Sequence, residues 1–300
     1  MVKSLTNLKR SVIERLQKYS KPRKIQRILL ENFTRYMYVL MHRQCGKTHF
    51  IRCVGLDFLE ANFFDDYEPA IGIFASKLKQ TLKLYRSRFE TILESKNYKP
   101  RYDAEETALK YRRYDYKKSR IDFYSASFNP DTDRGGTYPF IALDEYGAYK
   151  PHFANSVVGP MGDVYSAPMF ITGTPLGPNH FKKEYEYAER KMREGDKDFF
   201  AIRWTLDDSL REGEITQRYY DAIQKRYPPD QQHIFRAEYL LDWYAYVPNQ
   251  IFGYEVADCY SEGRVGFFPC IPQVPVDTFW DIGVNGTAVC LLYTSPSPRD

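Results

Sequence analysis

From Tyr36 onward, short uninterrupted apolar runs alternate with longer amphipathic stretches, and this alternation restricts the possible fold more than any other feature. The runs Tyr36–Met41, Ala70–Ala75, 120–124, 140–144, 169–172 and Phe199–Trp204 predict strands. The stretches 47–62, 77–96, 179–194, 215–226 and 230–243 have helical periodicity and fill the gaps. Continuously apolar strands are buried on both faces, so strands of this kind separated by helices predict an α/β fold with a parallel sheet covered on both sides. Tyr227-Pro228-Pro229 reads as a loop between helices. Residues 247–275, rich in proline and glycine, read as a linker, and a fresh strand signal follows at 278–281.

Composition narrows the class. The 300 residues allow one large or two smaller domains, and 43% hydrophobic with 27% charged residues is a globular balance. No window approaches the roughly 18 apolar residues of a membrane helix, and the first residues lack the apolar core of a signal peptide. Five cysteines (Cys45, Cys53, Cys259, Cys270, Cys290) never occur as CxxC, which predicts reduced thiols in a cytoplasm and no zinc site. The five histidines show no metal-binding spacing either. The 26 tyrosines and 20 phenylalanines form no repeating platform and read as core and half-buried surface rather than base-stacking sites. A net charge of +4 neither requires nor excludes a nucleic-acid partner, but nine Lys/Arg against one acid crowd the first thirty residues. Val12, Ile13 and Leu16 recur among them at helical spacing, so residues 1–22 read as a basic helix ended by Lys21-Pro22. A solvated face and a phosphate-contacting face are both open readings of it.

Three motifs carry chemistry. Met41-His42-Arg43-Gln44-Cys45-Gly46-Lys47-Thr48 follows a predicted strand and opens a predicted helix. A phosphate-binding loop needs inward backbone N–H groups, a lysine for the β/γ-phosphates and a Ser/Thr hydroxyl for Mg²⁺. Gly46, Lys47 and Thr48 supply those, although Met41 stands where the first glycine usually does. The second motif, Ile141-Ala142-Leu143-Asp144-Glu145, ends an apolar strand in two acids. One carboxylate placed beside Mg²⁺ and the next beside the attacking water justifies that arrangement; solvated acids at a strand end are the bland alternative. The third, Met169-Phe170-Ile171-Thr172-Gly173-Thr174-Pro175, places hydroxyls at a strand tip where they could sense the γ-phosphate, or it is a plain strand-to-turn transition.

The order of these motifs, followed by Trp280-Asp281-Ile282-Gly283, resembles the large terminase subunit of tailed bacteriophages, the motor-nuclease that packages viral DNA. The resemblance spans roughly residues 20–289 and includes an arginine inside the loop (Arg43), Arg134-Gly135 ahead of the acidic strand, and Phe235-Arg236-Ala237-Glu238-Tyr239-Leu240. It implies a P-loop NTPase of the RecA/ASCE-like kind followed by the start of an RNase H-like nuclease domain. It implies that Arg43, Gln44, Cys45, Gly46, Lys47 and Thr48 cradle ATP, with Gln26 on the adenine side. Lys47 and Arg43 then act on the phosphates, Thr48 and Asp144 hold Mg²⁺, Glu145 activates water, and Thr172, Gly173 and Thr174 couple hydrolysis to movement. Asp281 is implied as the first nuclease acid, binding Mg²⁺ or Mn²⁺ in a site that needs further carboxylates. Arg134 is a candidate for action between subunits. The implied partners are double-stranded viral DNA, the portal protein of the procapsid, the small terminase subunit and further copies of the chain in a ring on the portal. The implied setting is the cytoplasm of the infected bacterium, with no membrane. The expected division is a basic helix (1–22), a motor domain (23–246), a linker (247–275) and the first nuclease strand (276–289). Residues 290–300 resemble one reading frame of a transposase-type sequencing adaptor and are expected to lie outside the fold; a natural polar tail is the alternative. A helicase-like DNA translocase uses the same GKT and DE chemistry but requires a second motor domain. A DNA-binding scaffold with a decayed site is disfavoured by the presence of all four core residues.

Overall fold

The computed structural model describes residues 5–19, 21–60, 70–94, 99, 101–103, 108–112, 118–125, 136–245, 259 and 262–264, with 276–283 and 286–293 as backbone. They fall into two compact units, Met1–Ala257 and Asp258–Asp300. Arg134, Gly135 and most of 247–275 lie outside the described residues.

In the first unit, helices α1 (Leu5–Tyr19) and α2 (Lys24–Glu31) precede strand β1 (Tyr36–Met41), helix α3 (Lys47–Glu60) and strand β2 (Ala70–Ala75). Next come α4 (Leu78–Thr81), a π-helical turn (Leu82–Arg86) and α5 (Ser87–Glu94), then strands β3 (Arg101–Asp103), β4 (Ala108–Arg112), β5 (Lys118–Ser125) and β6 (Ile141–Leu143). A second π-turn (Ala154–Val158) leads into α6 (Gly159–Asp163), followed by β7 (Met169–Gly173), α7 (His180–Arg193), β8 (Phe199–Trp204), α8 (Leu206–Arg211), α9 (Gln217–Gln224) and α10 (Gln232–Glu238).

The eight strands form one sheet in the order β3-β4-β5-β2-β6-β7-β1-β8. The six from β5 to β8 are mutually parallel, and β4 and β3 extend the β5 edge antiparallel. This is the parallel sheet expected from the apolar runs, and β1, β2 and β8 span the predicted residues without change. Strand alternation divides β1 between two cores: Met37, Val39 and Met41 face α1, α2, α3 and α5, whereas Tyr38 and Leu40 face the α6 and α7 side. Val12 and Leu16 of the basic helix α1 belong to the first core, fully buried against the layer that contains α3. A smaller cluster of Leu206, Ile223, Phe235 and Tyr239 holds α8, α9 and α10 together.

The helical stretch at 77–96 is interrupted by the π-turn, and the one at 230–243 ends at Glu238. The latter stops because Leu241 adopts a left-handed conformation (φ 57°) and the Glu238 carbonyl accepts from Arg43 N–H rather than from a further turn. In the second unit, β9 (Val276–Gly283) pairs antiparallel with β10 (Gly286–Tyr293), Asp281 lying opposite Ala288. Strand β10 runs on through Cys290–Tyr293. The apolar sequence Ala-Val-Cys-Leu-Leu supplies the pairing partner that β9 needs.

Candidate functional site

Because β1, β2, β6 and β7 run parallel, their C-terminal ends meet at one edge of the sheet, where ligands bind in open α/β folds. The segments leaving them there carry the predicted residues.

Strand β1 ends at Met41, whose carbonyl accepts from the Lys47 amine at 2.8 Å. Between them the backbone turns back through two left-handed residues, Gln44 (φ 62°) and Gly46 (φ 91°). The conformation at Gly46 is one that favours glycine, and a Cβ there would stand 2.7 Å from Nε2 of Gln26, whose side-chain end would have to shift. Gln26 donates to the Gly46 carbonyl (3.3 Å) and accepts from Arg23 N–H (3.1 Å), which fixes α2 against the loop. Helix α3 opens at Lys47 with no acid in its first turn, leaving the positive end of its dipole available to an anion. Burial lowers the Lys47 pKa, and the nearby Asp144 charge opposes that shift.

The loop is tied to α8–α10 by contacts that its motif does not announce. Arg43 makes a bidentate ion pair with Glu238 (2.6 and 2.9 Å) and stays largely exposed. The Tyr219 hydroxyl donates to Gln44 (3.1 Å). Cys45 is buried, and that burial pushes its thiol up to about 11, which makes it a packing residue rather than a nucleophile. His42 is buried between the Arg43 carbonyl (2.7 Å to Nδ1) and Ser209 (2.8 Å to Nε2), and the Trp204 indole donates to the same Ser209 oxygen (2.9 Å). A carbonyl only accepts and an indole only donates, so Nδ1 carries the proton and Ser209 donates to Nε2. Beside this region, between α2 and the turn that follows α8, lies a crevice of about 650 Å³ flanked by Arg23, Lys24 and Arg27 and by Glu212 and Glu214.

Burial lowers the pKa of His42 from 6.5 to about 4. Its folded value lies below its unfolded one, so its contribution to stability is full above pH 6.5 and is lost as pH falls toward 4. At pH 5 the loss is about 2 kcal/mol. Melting temperatures of the protein and of His42→Gln, measured between pH 7.5 and 5, are expected to converge as pH falls. Parallel curves would contradict this account of His42.

Asp144 and Glu145 leave β6 beside this loop. Asp144 is buried: Oδ2 accepts from the Tyr85 hydroxyl (2.7 Å) and Oδ1 from Glu145 N–H (3.0 Å). Its carbonyl accepts from the Tyr149 hydroxyl (2.9 Å). Burial pushes the Asp144 carboxyl above the ordinary carboxylate range, and the Lys47 charge pulls it back. Glu145 adopts a left-handed conformation (φ 57°), and its carboxylate accepts from Ser76, the residue that follows β2 (2.8 Å).

In the third motif, Thr172 is fully buried and donates to the Val39 carbonyl of β1 (2.6 Å). Thr174, at the strand exit, is half-buried. A Cβ on Gly173 would lie 3.2 Å from Tyr146 N and 3.4 Å from Glu145 Cα, so this strand tip abuts the backbone that aims Glu145. Asp281 lies on β9 of the other unit, its side chain outside the described residues. Ser76, Tyr85 and Ser209 join the site without having been singled out in sequence, and Glu238, noted only as part of a resembling segment, joins it as the partner of Arg43. A hydroxyl at the very end of an apolar strand was a readable signal for Ser76, whereas Tyr85 gave none.

No family model matches the chain, and no curated protein matches it in sequence. Solved structures do match. The large terminase ATPase domain of Thermus phage P74-26 is 21% identical with a TM-score of 0.60, the match covering 77% of this chain and 96% of that one. The large terminase of a thermophilic bacteriophage, in complex with ADP, is 17% identical with a TM-score of 0.56, covering 95% of this chain and 65% of that one. The HK97 bacteriophage large terminase is 14% identical with a TM-score of 0.61, covering 79% and 55% respectively. The six-stranded parallel sheet with flanking helices is thus the fold of the large terminase ATPase domains. No described helix is long and apolar enough to cross a membrane.

Proposed function

We propose that this chain is the large terminase subunit of a tailed bacteriophage, an ATPase whose turnover drives double-stranded DNA into a procapsid. One observation carries the proposal. The Lys47 amine, the Thr48 side chain, the buried Asp144 carboxylate and the Ser76-anchored Glu145 carboxylate converge at one edge of a sheet shared with terminase ATPase domains.

The roles follow from the chemistry of each group. Backbone N–H groups of the loop and the start of α3 receive the phosphates, and Lys47 exchanges its contact with the Met41 carbonyl for the β/γ-phosphate oxygens. Thr48 and Asp144 fit Mg²⁺: a hydroxyl and one carboxylate are the protein oxygens this cation takes when phosphates and water complete its shell. Bound there, it supplies neutralisation of the charge that develops on the transferred phosphoryl group. Glu145 orients the attacking water and takes its proton. Arg43 reaches the phosphates once released from Glu238, which makes that ion pair a contact between nucleotide state and α10. Gln26 faces the adenine side through the start of α2. The Gly173 tip, in contact with the Glu145 backbone, passes the outcome of hydrolysis to the sheet.

In the same proposal, residues 23–246 are the motor, 1–22 a basic helix docked on it and 247–275 a linker, and β9 with Asp281 opens an endonuclease domain. The chain spans 65% of the ADP-bound thermophilic-phage terminase and 55% of the HK97 one, so the remaining nuclease acids belong to the whole protein. Portal, small subunit and further copies in a ring are its partners, in the cytoplasm of the infected host. A motor that traverses a whole genome grips phosphates and does not read bases, so DNA affinity should be indifferent to sequence. ATP turnover is expected to rise with added linear duplex. Duplex affinity is expected to fall by orders of magnitude between about 50 and 200 mM salt. Absence of stimulation, together with salt-independent binding measured by fluorescence anisotropy, would refute the packaging role.

A further inference from the structure

The helix that follows β2 contains a π-turn, Leu82–Arg86, and Tyr85 lies within it. Such turns insert an extra residue, re-aim the side chains around them and gather at functional sites. The Tyr85 ring is completely buried, and its hydroxyl donates to Asp144 Oδ2 at 2.7 Å. Thr48 stands beside the same phenol. The phenol's single proton is committed to the Asp144 carboxylate. With one oxygen bound by Tyr85 and the other by the Glu145 N–H, the Asp144 carboxylate is fixed in rotation.

We infer that Tyr85 is a positioning residue for Mg²⁺ in the nucleotide site, holding the Asp144 carboxylate in the orientation the cation requires. The inference rests on the reading of Thr48 and Asp144 as the protein's Mg²⁺ ligands. Outer partners that orient a metal's ligands typically change its affinity by about 10–100-fold when removed. Tyr85→Phe keeps the buried ring and deletes only the phenol oxygen that donates to Asp144.

The test is calorimetric binding of ATP-γ-S to the full chain, once with Mg²⁺ titrated in and once in EDTA, for the unmodified protein, Tyr85→Phe and Asp144→Asn. Mn²⁺ binding in the presence of the nucleotide, followed by electron paramagnetic resonance, reads the metal directly. Tyr85→Phe is expected to raise the half-saturating Mg²⁺ and Mn²⁺ concentrations by about tenfold while leaving metal-free nucleotide affinity within about twofold. Asp144→Asn is expected to abolish the metal's contribution. If Asp144→Asn removes that contribution and Tyr85→Phe does not alter it, the role of Tyr85 is overturned and the site reading stands. If Asp144→Asn itself has no effect, both fall. Should Tyr85→Phe melt below the working temperature, hydrogen exchange of the unmodified protein decides. Protection across residues 82–87 must be greater with Mg²⁺ and ATP-γ-S than with ATP-γ-S in EDTA, and equal protection overturns the inference.

Discussion

Glu145→Gln is expected to bind ATP with near-unchanged affinity and to hydrolyse it about 10²–10⁴ times more slowly, the span that a positioned general base contributes. The substitution preserves shape: a glutamine oxygen can still accept from Ser76, which now holds the carboxylate at 2.8 Å. It removes the only property that binding does not use, the capacity to take a proton from water. The backbone supports this assignment independently. A left-handed φ of 57° on a residue with a full side chain costs about 1–3 kcal/mol, and such strain persists where the surroundings demand a particular direction. Here the demand comes from both sides, with Asp144 Oδ1 accepting from the Glu145 N–H and the Gly173 tip closing on its Cα. Binding of a non-hydrolysable analogue together with phosphate release separates the two effects, and ordinary turnover in Glu145→Gln would remove this residue from the role of base.

The central strands were readable from sequence because burial on both faces leaves them no polar positions. Tyr36–Met41 and Ala70–Ala75 are apolar or small throughout, and both sit inside the sheet. The edge elements carry no such signal. Ala108–Arg112 alternates lysine, tyrosine and arginine, and it pairs with β5 through backbone bonds that any composition supplies. Helix α2 is only eight residues long and follows a proline closely, so its apolar face of Ile25, Leu29 and Leu30 does not stand out from the basic segment before it. Where the 230–243 stretch stops being helical is decided by Leu241 turning left-handed and by the loop arginine claiming the carbonyl of Glu238, both of which are tertiary events.

The site divides in the same way. Lys47, Thr48, Asp144 and Glu145 could be proposed from sequence because each stands at a strand end or helix start, where the order of the motifs suggests a chemistry. Their supports come from elsewhere in the chain. Tyr85 lies 59 residues before Asp144, Ser76 lies 69 before Glu145, and Glu238 lies 195 after Arg43. Parallel topology joins such distant segments, since neighbours in the sheet are separated in sequence by whole helices. Thr172 shows the converse limit: its position at a strand tip suggested a phosphate contact, yet its hydroxyl donates to the Val39 carbonyl. A coupling role proposed for Thr172 would therefore run through β1, the strand that leads into the Gly46-Lys47-Thr48 turn.

Lys47→Met should separate stability from binding. The Lys47 amine is desolvated, with the Met41 carbonyl as its hydrogen-bond acceptor and Asp144 as a nearby opposing charge. Keeping an ammonium there opposes folding, because a buried charge is costly to desolvate; against that, removing one member of a buried opposite-charge pair leaves the other uncompensated. Asp144 loses the Lys47 charge in the variant, but its hydrogen bonds from Tyr85 and Glu145 N–H are untouched. The melting temperature without nucleotide is therefore expected to hold within a few degrees or to rise. Nucleotide binding should behave in the opposite way. Two charge-assisted contacts to the β- and γ-phosphates, at about 1.5–3 kcal/mol each, disappear together, weakening ATP by about 10²-fold or more. Stabilisation by a ligand grows with its concentration relative to Kd, so the rise in melting temperature that ATP-γ-S gives the unmodified protein should vanish in the variant at the same concentration. A variant that still gains that stabilisation would mean the lysine serves the fold and not the phosphates. A variant that unfolds without ligand would mean the buried ammonium is a structural tie between β1 and α3.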